Sequence, residues 1–262
     1  MFNTIIVQPL LNLLIVLYSV VPWHSFGLAV IAITIVVRAI MWPLSGKALH
    51  SQKALKGLQP EIDKIKKKYK GKPQELQKAM SELYKEKEIN PLSSCLPTLL
   101  QLPILMGLYF VFIKFKEPNF VQLTDPTQGV LTDLYPFVKN IPTVKSVIEA
   151  GGSLSTTFIF GFVDLAKPNI ILAVLAGGTQ LLQTKLMTPN MPQDPQQQMM
   201  AKMVYLFPII TVFISLSLPS ALPLYWTAST AIAAYQQWLI MHKEVSLFEH
   251  MKLKKSKIKN QN

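Results

Sequence analysis

The sequence predicts an all-α polytopic membrane protein with a five-span core, a cytosolic helical hairpin and an N-terminal interfacial helix. Three observations carry that prediction. Half of the 262 residues are hydrophobic and 15% are charged, against about 25% charged in ordinary soluble domains. Apolar runs near the ~20 residues needed to cross a ~30 Å hydrocarbon core recur along the chain. One such run is often a buried soluble helix, but four or five together are not. The net charge of +12 is also unevenly placed: residues 45–91 carry 12 Lys against 6 acids, residues 243–262 carry 6 Lys against 2, and residues 114–168 balance 5 Lys with 5 acids. Lysine clusters beside span ends mark the cytoplasmic side, so both basic segments are read as cytosolic.

The first segment, 1–25, has no charged side chain. Its stretch 3–20 is apolar, with Gln8, Asn12 and Ser19 near one helical face. Such a narrow polar stripe suits an external helix lying in the interface, a true span being the alternative. Pro9 fits a kink or a helix start. No basic n-region, small-residue cleavage site or lipid-attachment cysteine stands near the start, so neither a cleaved signal nor a lipid anchor is expected.

Residues 26–44 form the first span, with Trp42 and Pro43 at its cytosolic exit. In 45–91, Leu55, Leu58, Ile62, Ile65 and Tyr69 recur at alternating three- and four-residue spacing, the pattern of a coiled-coil seam. "KGKP" (70–73) breaks the helix, and Leu76, Met80 and Leu83 resume the pattern. The reading is an antiparallel helical hairpin, kinked or restarted at Pro60. The second span, 92–113, is interrupted by Pro97 and Pro103. Residues 114–168 form an external segment with short interfacial helices. The third span is 169–187, followed by a cytosolic turn over 188–200 that contains "TPNMPQDPQQQ". Spans 201–218 and 222–241 are joined by "LPSALP", and a basic cytosolic tail occupies 242–262. Four spans separate the two basic segments, which puts the N-terminus outside and the C-terminus inside. No internal or inverted repeat of the transporter kind is visible.

The chain has 25 lysines and a single arginine, Arg38, inside the first span. Arg38 precedes Leu44 by six residues, about 9 Å along a helix, so snorkelling to the headgroups is one reading. A snorkelling site has no need of arginine, however. Arginine keeps its charge when desolvated and offers a planar fork of donors, whereas buried lysine readily loses its proton. Thr34, Trp42 and Ser45 share its helical face. A buried cation costs roughly 2.5–3.5 kcal/mol on insertion scales, and a water-filled cavity facing this stripe would remove most of that cost. Gln101, Gln180, Gln183, Thr227, Ser229, Thr230, Gln236 and Gln237 are polar residues in other spans. Singly they read as interhelical hydrogen bonds worth about 0.6 kcal/mol, and together with Arg38 as a hydrated, mildly cationic interior.

Enzyme chemistry is not expected. His24, His50, His242 and His250 lie at span ends or in cytosolic segments, and no G-x-S-x-G, H-E-x-x-H, cysteine cluster or P-loop occurs. The lone Cys95 excludes an internal disulfide and reads as packing. No cofactor and no metal is expected.

Five collinear segments resemble the YidC family of membrane protein insertases, related to the mitochondrial oxidase-assembly and chloroplast Albino insertases. They are "TIVVRAIMWPL" (34–44), "LQPEIDKIKKKY" (58–69), "INPLSSCLPTLLQLPILMGLY" (89–109), "FGFVDLAKP" (160–168) and "LPSALPLYWTASTAIAAYQQWLI" (218–240). The third is the most specific, carrying NPL, Cys-x-Pro and Gln-x-Pro in order. The resemblance implies five core spans around a hydrophilic groove open to the cytosol and the bilayer but closed to the outside. It implies that Arg38 is the groove arginine, lined by Thr34, Gln101, Gln180, Tyr225 and Trp226. The chain resembles a short form, without the large external domain and extra N-terminal span of long Gram-negative members or the lipoprotein signal common in Gram-positive ones.

The expected function is therefore nucleotide-independent insertion or chaperoning of nascent membrane proteins in a bacterial cytoplasmic membrane, alone or with the Sec translocon. The lipid bilayer is a further partner. Lys252, Lys254, Lys255, Lys257 and Lys259 are a candidate ribosome dock, although a cytosolic lysine cluster also fixes topology or touches anionic lipid. The rival readings are a small-solute or anion transporter or channel using Arg38, and a purely chaperoning role beside Sec.

Overall fold

The structure, a computed structural model, describes residues 1–90, 96–115, 130–150, 154–158, 162–187 and 195–259. A π-helical turn, Asn3–Val7, runs into α1 (Gln8–Val20), with Pro9 in its first turn. A short turn, Pro22–His24, leads to α2 (Phe26–Gly57), followed by α3 (Gln59–Lys68), α4 (Pro73–Glu86) and α5 (Leu96–Lys114). After Val130–Asp133 come α6 (Pro136–Lys139) and α7 (Pro142–Glu149). The strands β1 (Thr157–Phe158) and β2 (Val163–Asp164) pair antiparallel, Thr157 opposite Asp164. The chain continues with α8 (Ile170–Met187), α9 (Pro195–Ser215) and α10 (Ala221–Lys259).

The protein is predominantly helical. Among the described residues, Asn3–Val20 and Phe26–Leu55 are long and apolar enough to cross a membrane, and Leu99–Lys114, Ile170–Leu186 and Tyr205–Ser215 are shorter apolar helices. Ile35, Ile40, Met106, Phe110, Val174, Phe213 and many similar side chains face outward. So much exposed apolar surface is untenable for a soluble monomer; in a bilayer it is the solvent-facing surface.

Several boundaries differ from the sequence reading. Helix α5 continues through Pro103 rather than breaking there, as membrane helices can when surrounding groups satisfy the freed carbonyl. Residues 195–200, expected in a turn, already belong to α9; Pro195 suits a helix start because its missing N–H would be unpaired there anyway. The rest of that expected turn, 188–194, and the NPL element with Cys95 lie outside the described residues. The β1–β2 pair was not foreseen.

The chain divides into two compact units. The first comprises Met1–Ile40 and Gln101–Ala233. Its core contains Leu11, Leu14 and Ile15 of α1, Phe26, Val30 and Ile33 of α2, and Leu108, Val111 and Phe112 of α5. Phe26 meets Phe112 edge-on and lies 4.6 Å, centroid to centroid, from Phe115. Ile6 and Leu10 pack onto Gly107, and Phe2 meets Phe110, so the start of α1 lies near the C-terminal third of α5. Asn12 does not contribute to a wet stripe: it is 2% exposed. Its Nδ2 donates to the Asp133 carbonyl at 2.9 Å, and its Oδ1 accepts from the Tyr135 amide at 2.7 Å. A buried amide side chain needs such partners, and the turn after residue 130 supplies them. Lys114 pairs with Asp133 nearby.

The segment after β2 docks on α10. The carbonyls of Lys167 and Leu165 accept from the amides of Ser220 and Ala221, each at 3.0 Å, satisfying donors that a helix start leaves free. Asp164 organises this segment, accepting from Thr156 Oγ1 at 2.8 Å and the Ala166 amide at 3.0 Å, with Lys167 Nζ at 3.4 Å. Burial acts to raise the Asp164 carboxyl, but these donors and the Lys167 charge outweigh it and hold the group below the usual carboxylate range. Phe158 lies over Gly27, where any Cβ would overlap its ring.

The second unit comprises Met41–Leu100 and Ala234–Asn262. Here α2 runs through Pro43, and Gln236 Nε2 of α10 donates to the Trp42 carbonyl at 2.9 Å. The helix stops at Gly57 and restarts at Gln59, with Pro60 in the first turn of α3. Leu58, Ile62 and Leu83 form the core of an antiparallel α3–α4 pair, flanked by Ile65, Met80, Tyr84 and Ile89. Lys87 reaches Glu61 at 3.4 Å. Burial pushes the Tyr84 phenol up. Leu55, Tyr69 and Leu76, expected in this seam, are not in the cluster. Leu55 precedes the helix break, and Tyr69 sits at the non-helical end of α3 before the Gly71 reversal at φ +81°.

Candidate functional site

Arg38 sits on α2 between the outward-facing Ile35 and Ile40 and the inward-facing Thr34 and Val37. It is half-buried, and its Nε donates to Ser229 Oγ of α10 at 2.8 Å. Ser229 lies one helical turn beyond Tyr225, so both project from the same face of α10. Tyr225 is 1% exposed. Its hydroxyl accepts from Gln101 Nε2 of α5 and lies close to Ser229 and to the Arg38 charge. A continuous polar string, Gln101–Tyr225–Ser229–Arg38, thus joins three apolar helices within the first unit.

The partners of Arg38 are hydroxyl groups. Among the described residues no carboxylate pairs with it. Its charge is anchored without being neutralised, and the guanidinium keeps donors for a further acceptor. Among the described residues, nothing hydrogen-bonds to the buried Gln101 Oε1. Chemically the cluster offers donors and a cation for anionic or strongly polar groups. Among the described residues no three His, Cys, Asp or Glu side chains converge into a metal-holding group.

The other residues named from the sequence are placed differently. Thr34 is fully buried, but its hydroxyl donates to the Val30 carbonyl at 2.6 Å on its own helix. Gln180 Oε1 accepts from Thr211 Oγ1 at 2.5 Å, so it joins α8 to α9 rather than extending the string. Its neighbour Thr179 accepts from Thr230 Oγ1 at 2.8 Å, linking α8 to α10. Trp226 is half-buried, and it points about 100° around the helix from Tyr225. Ser229, the direct partner of Arg38, is absent from the motif-derived groove residues. Its signal was a hydroxyl four residues after Tyr225 in an apolar span. The tail lysines 252–259 fall within α10.

Comparison with known proteins adds to this geometry. A model of the 60Kd inner membrane protein family matches residues 16–246. A membrane protein insertase YidC of Clostridium tetani is 37% identical over 211 residues, covering 80% of this chain and 79% of the relative. Proteins of the same name from Oleidesulfovibrio alaskensis and Francisella tularensis subsp. novicida are 34% and 36% identical over 92% and 82% of this chain. The chain spans 39% and 32% of the length of those two relatives. With matches over this much of its length, the chain belongs to the 60Kd inner membrane protein family, to which the YidC insertases are related by sequence.

Proposed function

We propose that this chain is a membrane protein insertase in which Arg38 and the polar string behind it receive a hydrophilic tail or short loop of an incoming membrane protein. The observation that carries the reading is a guanidinium held among apolar helices by a neutral hydroxyl instead of an acid. Such a cation attracts acidic or polar groups on a passing chain. The groove shortens the apolar distance that the hydrophilic segment crosses. The client's apolar helix then slides along α5 and α10 into lipid. Burial of ~20 apolar residues is itself favourable, so no nucleotide is required.

In this reading residues 26–44, 92–113, 169–187, 201–218 and 222–241 are the five spans, with the N-terminus outside and the C-terminus in the cytosol. Residues 1–25 lie in the outer interface. The contacts of Phe2 and Ile6 with Phe110 and Gly107 support this, because a spanning helix leading into α2 would begin near the other end of α5. External closure of the groove is supported by the braces among span ends: Lys114 to Asp133, the Asn12 bracket, Phe158 on Gly27, and the carbonyls of Leu165 and Lys167 on α10. The α3–α4 pair and the tail, with Lys252, Lys254, Lys255, Lys257 and Lys259, are proposed as cytosolic contacts for ribosomes, and the Sec translocon as a facultative partner.

The test is insertion into reconstituted vesicles of single-span clients with acidic N-terminal tails, measured by protease protection. Arg38→Ala is expected to cripple insertion. Undiminished insertion by that variant overturns the role of Arg38.

A further inference from the structure

We propose that Ser229 is a positioning residue for Arg38, holding the guanidinium through Nε so that its terminal nitrogens stay aimed into the groove. The proposal rests on the insertion reading above. A guanidinium has five N–H donors, one on Nε and four on the terminal nitrogens. In this structure the Nε donor is used within the protein, 2.8 Å from Ser229 Oγ. An unheld arginine near a span end extends along the helix and snorkels toward the headgroups. The Ser229 bond ties Arg38 instead to α10, across 191 residues of sequence.

Ser229 is itself fixed in place. It is 3% exposed, and Tyr225, one turn earlier, stands against it while accepting from Gln101 of α5. The hydroxyl is therefore the last link of a braced string rather than a free rotor. Its chemistry also matters. A carboxylate at this position would hold Arg38 as firmly but discharge it, and would compete with acidic groups of a client. A hydroxyl anchors the cation and leaves its charge available.

The experiment uses the full chain in vesicles with two clients that differ only in the N-terminal tail: one acidic, one with each Asp and Glu replaced by Asn and Gln. Ser229→Ala is expected to slow insertion of the acidic client roughly tenfold, the scale of one charge-assisted hydrogen bond, and to leave the neutral client nearly unchanged. Ser229→Thr, which keeps the hydroxyl, is expected to restore the wild-type rate. Ser229→Asp is expected to be at least as defective as Ser229→Ala. Should the Ala variant aggregate, Ser229→Cys, close in size but a poor acceptor, serves in its place. Equal rates for Ser229→Ala and wild type on the acidic client overturn the proposal. So do equal defects in the Ala and Thr variants, or equal defects on both clients, which mark a packing role alone. Arg38→Ala separates the two levels: if it inserts normally, the reading of Arg38 itself fails, whereas a defective Arg38→Ala beside a normal Ser229→Ala sinks only the positioning role.

Discussion

Helices α8 and α9 meet at Gly177, and the contact makes a paired prediction. A Cβ built on Gly177 stands 2.9 Å from the Pro208 carbonyl oxygen and 2.3 Å from Val212 Cγ2. The first distance falls about 0.5 Å short of ordinary van der Waals contact and involves backbone that cannot turn aside. The second involves a β-branched side chain with one strongly preferred rotamer in a helix. Gly177→Ala must therefore push the helices apart. Overpacking of this kind costs about 1–3 kcal/mol, partly offset by the roughly 0.5–1 kcal/mol that alanine gains over glycine in a helix. The neighbouring Gly178 is the control, since a Cβ there meets nothing within 4 Å; Gly178→Ala should gain the helix preference without the clash. The expected order of thermal stability in detergent is Gly178→Ala at or above wild type, then wild type, then Gly177→Ala. A Gly177→Ala protein as stable as Gly178→Ala would refute the close approach of α8 and α9.

Other consequences are equally direct. Asp164 is held below the usual carboxylate range, so its contribution is complete above its unfolded value and fades as pH falls through the lower folded value. Hydrogen exchange at the Ala166, Ser220 and Ala221 amides should accelerate over that acidic window, and Asp164→Asn should largely remove the dependence. Leu83→Ala opens a cavity against Leu58 and Ile62 and should destabilise the α3–α4 pair by about 2 kcal/mol or more. Limited proteolysis near Gly71 reports that loss.

The sequence revealed what depends on local pattern. The spacing of Leu58, Ile62, Ile65, Met80 and Leu83 named five of the seven cluster residues, because a seam between two amphipathic helices is periodic. It missed Tyr84 and Ile89, which join only because the α3–α4 turn sets the register. The oddity of a lone arginine in an apolar run pointed to Arg38 without any fold. Its partner stood among eight polar candidates but was not singled out, because Ser229 lies 191 residues away and resembles the other hydroxyls in apolar runs. Asn12 misled for the opposite reason. A polar residue on an apolar helix reads as a wet face, while the peptide groups that satisfy it come from the turn at residues 133–135.

The uneven use of hydroxyl and acid partners follows from what each cation is for. Lys114 is matched by Asp133, a pair that ties the end of α5 to the turn after residue 130, and Lys167 by Asp164 within one turn of its own segment; both gain from being electrically closed. Arg38 meets Ser229 instead, and loses the Coulomb stabilisation that an acid would provide. That loss would select against the arrangement if Arg38 were structural, since an apolar residue would pack more cheaply than a half-buried cation. The arrangement becomes reasonable when the missing counter-charge arrives transiently on a client. A permanent acid would make each encounter an exchange of one carboxylate for another with little net gain. In the proposed groove, a hydroxyl lets the encounter be favourable without a permanent acid to displace. The same logic explains arginine over lysine: the chain uses lysine at every other basic position, yet at this one it uses the cation that bonds a neighbour through one nitrogen and keeps two others for a visitor.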